Sequence, residues 1–565
     1  MAWYDEAIFY HIYPLGLCGA PKENSYGEPV HRLQKLFPWI HHIKETGCNA
    51  VYIGPLFESV GHGYETTDYK KLDSRLGDNQ DLTDFVLACH KEGIRVILDG
   101  VFNHTGRDFF AFQDIRKNRE NSPYRDWYCN VNFGGNNEYN DGFSYENWGG
   151  YNLLVKLNQH NPAVRDYICD VIRFWVSEFD IDGIRLDAAD VLDFEYMKAL
   201  RHVANEVKPD FWLMGEVIHG DYTRWVNEGT LHSVTNYHLH KALYSGHNDH
   251  NFFEIAHTVK RLYEMGGDRP EGLKLYNFVD NHDVERIYTK LTNKAHFAPV
   301  HILLYTLPGI PSIYYGSEFA IEGKKEQGSD ASLRPALNLD DFSDALSQNP
   351  CTRLIARLGA VRQETPALSY GDYRELILTN RQYAFSRNTE GMSVIVTVNN
   401  DDSDFVMTVP VGSADTYTGK LSGETVSVVN GNIVVNVRAN SGDIWVPLAG
   451  KEKDKSTGVE NILDSLSEPT ALAEPENITV EEKAEAPASS TNGQEKEEPL
   501  PADHTTIESI SSPDSQKTYE DGKIAGLQEA IIAIMESKGP VTDQMRKDVY
   551  NQTHYPSLIN WIKSF

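Results

Sequence analysis

Short apolar runs alternate with amphipathic helical patterns from residue 1 to about residue 366. The runs with the length and apolar content of β-strands are 7–13, 50–53, 95–98, 183–186, 211–214, 233–236, 274–278 and 312–315. Most of these eight runs are separated by apolar positions at helical spacing. Such an alternation favours an α/β fold of the (β/α)8 TIM-barrel type, although a doubly wound sheet is also compatible with this length.

The stretch 105–160 interrupts this alternation inside the predicted barrel domain, residues 1–366. It is rich in Asn, Gly, Tyr and Trp, and it is far longer than an ordinary loop between a strand and the next helix. We therefore predict a small subdomain inserted after the third barrel strand.

Residues 367–449 follow a different pattern, in which β-rich runs are divided by Gly, Asn and Asp. The clearest runs are 394–398, 405–409 and 433–437. Short strands separated by turn residues predict an antiparallel β-sandwich, and we expect this domain to pack without supplying chemistry of its own.

The last part of the chain divides into a linker and a small module. Residues 451–518 contain 16 acidic residues, six lysines and no Phe, Trp or Tyr, which predicts a disordered acidic linker over 450–518. One helical stripe follows, formed by Ile524, Leu527, Ile531, Ile534 and Met535. We predict a small helical module over 519–565, which is either a binding segment for a protein partner or a helical appendage.

Charge and cysteine usage restrict the partners and the compartment. A formal net charge of −30 argues against nucleic acid, because its phosphates would be repelled. The six cysteines are scattered without a CxxC pair, as expected for free thiols in a reducing compartment. The first residues lack the basic and apolar segments of a signal peptide, and no apolar run of about 18 residues occurs. We predict a cytoplasmic protein without a membrane partner.

Arg185 and Asp187 stand two residues apart at the end of the fourth predicted strand. Side chains at positions i and i+2 of a strand point to the same side, so the guanidinium lies beside the carboxylate. This arrangement favours the charged carboxylate that a nucleophile requires. Taken alone, however, such a pair is more often a structural ion pair.

Three further apolar runs also end in acidic or imidazole side chains. They supply Glu216, Asp283 with His282, and Asp99 with His104. Aromatic and aliphatic neighbours disfavour the charged form of Glu216, which suits a general acid. Because a parallel barrel gathers the carboxyl ends of its strands on one face, we predict that all these groups share one site.

These segments resemble four motifs of the alpha-amylase family of glycoside hydrolases, in the family's order, and the likeness covers residues 1 to about 448. The motifs are Asp-Gly-Val-Phe-Asn-His at 99–104, Gly-Ile-Arg-Leu-Asp at 183–187, Glu216, and Val-Asp-Asn-His-Asp at 279–283. Further matches are His-Gly-Tyr at 62–64 with Asp68, Lys-Leu-Asn at 156–158, and 309–316 at the eighth strand.

The resemblance implies a role for each residue of the predicted site. Asp187 is expected to be the nucleophile, Glu216 the general acid/base and Asp283 the stabiliser of the oxocarbenium-like transition state. The supporting and sugar-binding residues are expected to be Tyr64, Asp99, His104, Arg185 and His282, with Tyr64 stacking on the sugar. The family retains anomeric configuration, so the same is expected here.

Within the family, the segment 147–158 is most similar to neopullulanases, cyclomaltodextrinases and maltogenic amylases. That group usually carries an N-terminal β-domain, whereas the first predicted barrel strand here begins at residue 7. The resemblance also implies Asn103 as a calcium ligand. Val191 stands where the family usually has a histidine, and no Asp-rich calcium loop occurs near residues 18–30. We therefore expect that no cofactor is required, and a calcium ion bound at Asn103 is the alternative.

The leading functional hypothesis is a retaining hydrolase of α-1,4-glucosidic bonds in maltooligosaccharides, starch-like glucans or cyclic α-glucans. The same acids could serve an α-glucan transglycosylase, since only the acceptor differs. A carbohydrate-binding protein without catalysis is a third hypothesis, and the joint presence of Asp187, Glu216 and Asp283 argues against it.

Overall fold

A computed structural model describes residues 2–267, 269–412 and 414–448. Eight strands form one parallel sheet, and they are β1 Phe9–Ile12, β2 Ala50–Ile53, β3 Arg95–Gly100, β4 Gly183–Leu186, β5 Trp212–Gly215, β6 Ser233–Val234, β7 Tyr276–Phe278 and β8 Ile310–Tyr314. Their order in the sheet is β6-β5-β4-β3-β2-β1-β8-β7. A parallel bridge between Thr235 and Tyr276 joins the two ends of this order. The predicted (β/α)8 barrel is confirmed.

The barrel strands read as mostly apolar runs because they are buried on both faces. One set of side chains fills the barrel interior, where the Phe9 and Trp212 rings stack with centroids 5.0 Å apart. The other set packs outward against the helices. The sequence therefore shows strand length clearly but does not show the alternation of a half-exposed sheet.

Helices cover the outside of the barrel and follow the strands in chain order. The longer ones are Phe37–Glu45, Asn79–Lys91, Pro162–Phe179, Phe194–Val207, Tyr237–Asn248, Phe252–Glu264, Phe297–Thr306 and Pro350–Glu364. The inserted segment contributes the helix Phe110–Asn118, and helices of four residues are Pro14–Leu17, Ile287–Lys290, Ala345–Gln348 and Ala367–Tyr370. Local signals set several of these ends: the Asp78 side chain accepts from the backbone of Gln80 and Asp81 at the start of one helix.

Antiparallel strands extend the loops at the carboxyl ends of β2 and β3. Phe57–Ser59 pairs with Thr66–Leu72 after β2. After β3, Tyr151–Lys156 lies between His104–Thr105 and Asn147–Trp148 in a three-stranded sheet. This sheet lies in the stretch that we predicted as an inserted subdomain, and it precedes the helix that begins at Pro162.

An antiparallel sandwich follows the barrel, as predicted. Its strands are β9 Asp372–Leu378, β10 Gln382–Thr389, β11 Met392–Asn399, β12 Phe405–Pro410, β13 Thr416–Gly419, β14 Thr425–Ser427, β15 Asn432–Val437 and β16 Ser441–Pro447. One sheet has the order β9-β10-β11-β16-β13-β14, and β12 pairs with β15. Side chains such as Ile395, Met407, Val435 and Trp445 form the core between them.

A buried arginine of the sandwich connects it to the barrel. Arg387 on β10 donates to the carbonyl of Thr306, at the end of a barrel helix, at 2.7 Å and to Gly371 at 3.0 Å. The guanidinium thus satisfies helix-end carbonyls that would otherwise lack donors.

Two predicted segments, the acidic linker over 450–518 and the helical module over 519–565, lie outside the described residues. Among the helices of the described part of the chain, none has both the length and the apolar content to cross a membrane.

Candidate active site

The predicted site residues meet at the carboxyl ends of the barrel strands. Asp187 directly follows β4, Glu216 directly follows β5, and Asp283 lies in the loop after β7. They border a cavity of about 280 Å³. Its lining residues are His62, Tyr64, His104, Trp148, Leu154, Asp187, Glu216, Asp283, Asp330 and Arg334. Of the predicted residues, Asp99, Arg185 and His282 are buried behind this lining.

The Arg185 guanidinium connects three carboxylates. Nη1 lies 2.8 Å from Oδ1 of Asp99 and 2.8 Å from Oδ1 of Asp187, and Nη2 lies 2.7 Å from Oε2 of Glu216. The register explains part of this contact, because Asp99 on β3 pairs with Arg185 on β4. A rigid planar cation with five donors can hold several carboxylates at once. Arg185 and Asp187 therefore belong to a cluster with Asp99 and Glu216, and they do not form the isolated structural ion pair that the sequence alone also allowed.

One positive charge for three carboxyl groups changes the expected ionisation of Asp187. Burial raises the pKa of Asp187 well above its ordinary value; Arg185 opposes this, and the charges of Glu216 and Asp99 add to it. The direction is opposite to the prediction from the Arg185–Asp187 pair alone, because burial and the charges of Glu216 and Asp99 together outweigh Arg185. Asp187 therefore keeps its proton to a higher pH than an exposed aspartic acid does.

The Glu216 carboxyl group is held by neighbours that the strand ends provide. The Ala188 N–H donates to Oε2 at 3.2 Å, and the Tyr237 hydroxyl donates to Oε1 at 3.4 Å. The Asn281 amide in turn donates to the Tyr237 oxygen at 3.3 Å. Sequence reasoning missed Tyr237, although it stands immediately after the predicted strand 233–236, as Asp187 does after β4.

Asp283 is bound by two cationic or potentially cationic side chains. His282 Nε2 lies 3.0 Å from Oδ2, and Arg334 Nη2 lies 2.9 Å from Oδ1. Burial opposes the charge on Asp283, but His282 and Arg334 outweigh it and lower the pKa of this carboxyl group. Arg334 also lies 3.2 Å from Asp330. Sequence reasoning missed both residues, which follow β8 in irregular chain without an apolar pattern.

Tyr64 and His104 complete the wall of the cavity beside Asp99. The Tyr64 hydroxyl donates to Oδ2 of Asp99 at 3.3 Å and contacts Nε2 of His282, whose ring lies between Tyr64 and Tyr13. His104 Nε2 lies 3.2 Å from the Tyr64 carbonyl. Burial lowers the pKa of His104 to about 3, so its imidazole is neutral at ordinary pH.

The surroundings of Asn103 bear on the calcium site that the resemblance implies. The Asn103 side chain is fully buried, and its Oδ1 accepts from Gln159 at 3.1 Å. Its Nδ2 lies 3.2 Å from Nδ1 of His104. Both polar atoms of this amide have protein partners, so its hydrogen bonding is satisfied without a metal ion. That no cofactor is required stays a prediction.

Comparison with known proteins places the chain among carbohydrate-active enzymes. Residues 24–357 match the family model described as the alpha amylase catalytic domain. A cyclomaltodextrinase of a Bacillus species is 30% identical over 450 residues, which cover 75% of this chain and 78% of that protein. Neopullulanase 2 of Thermoactinomyces vulgaris is 29% identical over 471 residues, 78% of each chain. A solved cyclomaltodextrinase structure superposes with a TM-score of 0.69 at 26% identity, covering 79% of this chain and 78% of that one.

Proposed function

The chain belongs to the alpha-amylase family of glycoside hydrolases, and from that premise we propose that it hydrolyses α-1,4-glucosidic bonds with retention of anomeric configuration. The proposed substrates are maltooligosaccharides, starch-like glucans or cyclic α-glucans. The observation that carries the proposal is the contact of Asp99, Asp187 and Glu216 with one guanidinium at the edge of an open cavity.

Asp187 is the proposed nucleophile. Its side chain is one-tenth exposed, so it reaches the cavity while Arg185 holds Oδ1. The reaction requires Asp187 to be ionised and Glu216 to carry the proton that it donates. Asp187 then attacks the anomeric carbon as Glu216 protonates the departing glycosidic oxygen, and a glycosyl ester forms.

Glu216 is the proposed general acid and then the general base. After the leaving sugar departs, its carboxylate removes a proton from an incoming water, which attacks the anomeric carbon and releases Asp187. Asp283, whose lowered pKa keeps it ionised, is proposed to bind sugar hydroxyls and stabilise positive charge on the reacting sugar.

The relatives support the choice of substrates to be tested. Their names describe a cyclomaltodextrinase and a neopullulanase, and the chain covers more than three quarters of the length of each. Cyclic α-glucans and pullulan are therefore as relevant as linear maltooligosaccharides.

The deciding experiment is product analysis on starch, pullulan, cyclodextrin and maltotriose, with the Asp187→Asn protein as a control. Release of maltooligosaccharides whose new reducing ends are first formed as α-anomers supports the proposal. First formation of β-anomers would refute the retaining mechanism. With maltotriose as the sole substrate, products longer than maltotriose would favour transglycosylation, because they require a sugar acceptor. Absence of cleavage on all four glucans would favour the non-catalytic binding hypothesis.

A further inference from the structure

A second cavity lies at the opposite end of the barrel from the catalytic acids. Its volume is about 220 Å³, close to the 280 Å³ of the catalytic cavity. The lining includes Trp212 and Ile310, the first residues of β5 and β8, and Lys274, which precedes β7. Glu216 directly follows the other end of β5, so roughly 13 Å of strand separate it from Trp212. The two cavities are therefore distinct.

Aromatic rings form one wall of this second cavity. The Tyr4 ring stacks on Trp212 with centroids 6.0 Å apart and lies 5.2 Å from the His232 ring. The Leu213 N–H donates to Nδ1 of His232 at 2.9 Å, so Nε2 carries the ring proton and is a donor. Burial lowers the pKa of His232 to about 3, so this donor is neutral at ordinary pH. The wall thus offers ring surface and an N–H donor.

Arg201 brings a half-buried guanidinium to the cavity from the helix Phe194–Val207. Its Nε donates to Asn205 at 3.2 Å, and its Nη1 donates to the Thr230 carbonyl at 3.0 Å. Among the described residues no carboxylate lies within 4.0 Å of this guanidinium, and Nη2 has no acceptor. Burial lowers the pKa of Arg201, and no ion pair offsets the loss of water around its charge.

Arg269 is a second guanidinium of this cavity without a carboxylate partner. It is exposed in the loop before β7, and its side chain makes no hydrogen bond or ion pair in the described part of the chain. The protein has 82 acidic and 52 basic residues, so two unpaired arginines at one cavity are unexpected. A planar guanidinium fits the oxygens of a phosphate or carboxylate group, which indicates an oxyanion as part of the ligand.

Two carboxylates of the same cavity are also unpaired. Glu228, before β6, and Glu271, before β7, have no hydrogen bond and no ion pair within 4.0 Å among the described residues. Asp5, in contrast, lies 2.8 Å from Lys274. Carboxylates accept hydrogen bonds, and a sugar hydroxyl can donate to them. Separate cations and carboxylates therefore suit a ligand that carries both an oxyanion and hydroxyl groups.

We propose that this second cavity is a non-catalytic binding site for a phosphorylated monosaccharide. Arg201 and Arg269 bind the phosphate group. Glu228 and Glu271 accept from sugar hydroxyls, and the Tyr4 ring borders the sugar. Phosphate alone would leave the carboxylates unpaired, and a neutral sugar would leave the guanidinium groups unpaired. The inference is independent of the proposed function, because no bond of this ligand is broken.

The test is calorimetric titration of the full-length protein with glucose 1-phosphate, glucose 6-phosphate, inorganic phosphate and glucose. The better of the two sugar phosphates is expected to bind at least about tenfold more tightly than phosphate or glucose, since each of these lacks one half of the contacts. Equal binding of inorganic phosphate would show that the sugar is not recognised and would overturn the proposal. Absence of binding by both sugar phosphates would overturn it as well.

Variants of the lining locate the binding. Arg269→Met removes a guanidinium that makes no contact in the described part of the chain, and it should weaken sugar phosphate binding by roughly tenfold or more. Arg201→Met should do the same and Arg201→Lys should recover part of the loss. Thermal unfolding without ligand checks these two variants, because Arg201 also binds the Thr230 carbonyl. Lys198→Met is the matched control, since Lys198 lies on the same helix, pairs with Glu195 and does not line the cavity.

Two further variants separate the sugar contacts from the phosphate contacts and this cavity from the catalytic one. Glu271→Gln should lower the preference for the sugar phosphate over inorganic phosphate by roughly tenfold, because an amide accepts more weakly and repels phosphate less. Arg334→Met removes the arginine that lines the catalytic cavity and should leave sugar phosphate binding unchanged. Loss of binding in Arg334→Met but not in Arg269→Met would place the ligand in the catalytic cavity and refute the proposal.

Discussion

Arg334 binds Asp283 through Nη2 and Oδ1 at 2.9 Å, and both side chains line the catalytic cavity. The two residues are far apart in the sequence, and Arg334 also accounts for part of the lowered pKa of Asp283. A carboxylate with a lowered pKa stays charged as the pH falls, so activity that needs the charge persists into acid.

Arg334→Met should therefore weaken the enzyme most on the acid side. Without the guanidinium the pKa of Asp283 rises, and the acid limb of the kcat/KM profile moves to higher pH. Because a hydrogen bond to a charged group is worth about 1.5–3 kcal/mol, kcat/KM at neutral pH should also fall by roughly tenfold or more. Full pH profiles on maltotriose measure both effects. Arg334→Lys keeps a charge and should shift the limb less; an unchanged limb in the Met variant would contradict this account.

Asp187→Asn should abolish turnover and leave the fold intact. The neutral amide cannot form the glycosyl ester, and removing one of three carboxyl groups around Arg185 reduces their mutual repulsion. Thermal unfolding and turnover on maltotriose are measured together. A folded variant with turnover within about tenfold of wild type would remove Asp187 from the role of nucleophile.

The acids and the barrel were predictable from the sequence for one physical reason. A fully buried parallel strand is a short apolar run, and the first polar residue after it lies on the face where the site forms. Asp187 and Glu216 both occupy such positions, and Asp283 lies a few residues beyond one. The same reasoning predicts which residues form the site. It does not predict that Arg185 contacts three carboxyl groups, because that contact depends on the strand register.

Several of the residues that sequence reasoning missed reach the site through contacts between segments that are far apart in the chain. Arg334 and Asp330 follow β8 in a segment with no periodic pattern, and Trp148 belongs to a hairpin whose position depends on pairing with His104–Thr105. Long-range contacts of this kind leave no local signal. The raised pKa of Asp187 was missed for the same reason, because its burial and its closeness to Glu216 and Asp99 depend on segments that are distant in sequence.

Glu216→Gln should separate the two halves of the reaction. The amide cannot protonate a glycosidic oxygen, so turnover of maltotriose should fall by at least about a hundredfold. Fluoride departs without a proton, so α-glucosyl fluoride should lose much less of its rate of glycosyl-ester formation. Burst-phase kinetics on the fluoride measure that step. Equal losses on the two substrates would contradict an acid role for Glu216.

Removal of divalent metal ions with EDTA should change the turnover of α-glucans little. Asn103 has its amide oxygen bound by Gln159, and this local network does not need a metal to hold the loop. Turnover and thermal unfolding are compared with EDTA, with calcium and with neither. A large loss in EDTA that calcium reverses would show that calcium binds elsewhere or displaces Gln159. A Gln159→Ala variant, which frees the Asn103 oxygen, then distinguishes these two cases by its calcium dependence.

Ending the chain near Gly450 should leave turnover on short maltooligosaccharides intact. Every residue that lines the catalytic cavity lies between His62 and Arg334, and the sandwich that packs on the barrel ends at Pro447. The acidic sequence that follows is predicted to be disordered, and we expect protease to cut it readily, because an unfolded backbone fits a protease cleft. Limited proteolysis and turnover on maltotriose test both statements, and any loss should appear in association or in binding to large glucan particles. If the shortened protein folds but no longer cleaves maltotriose, residues beyond 450 belong to the active site and the predicted domain division is wrong.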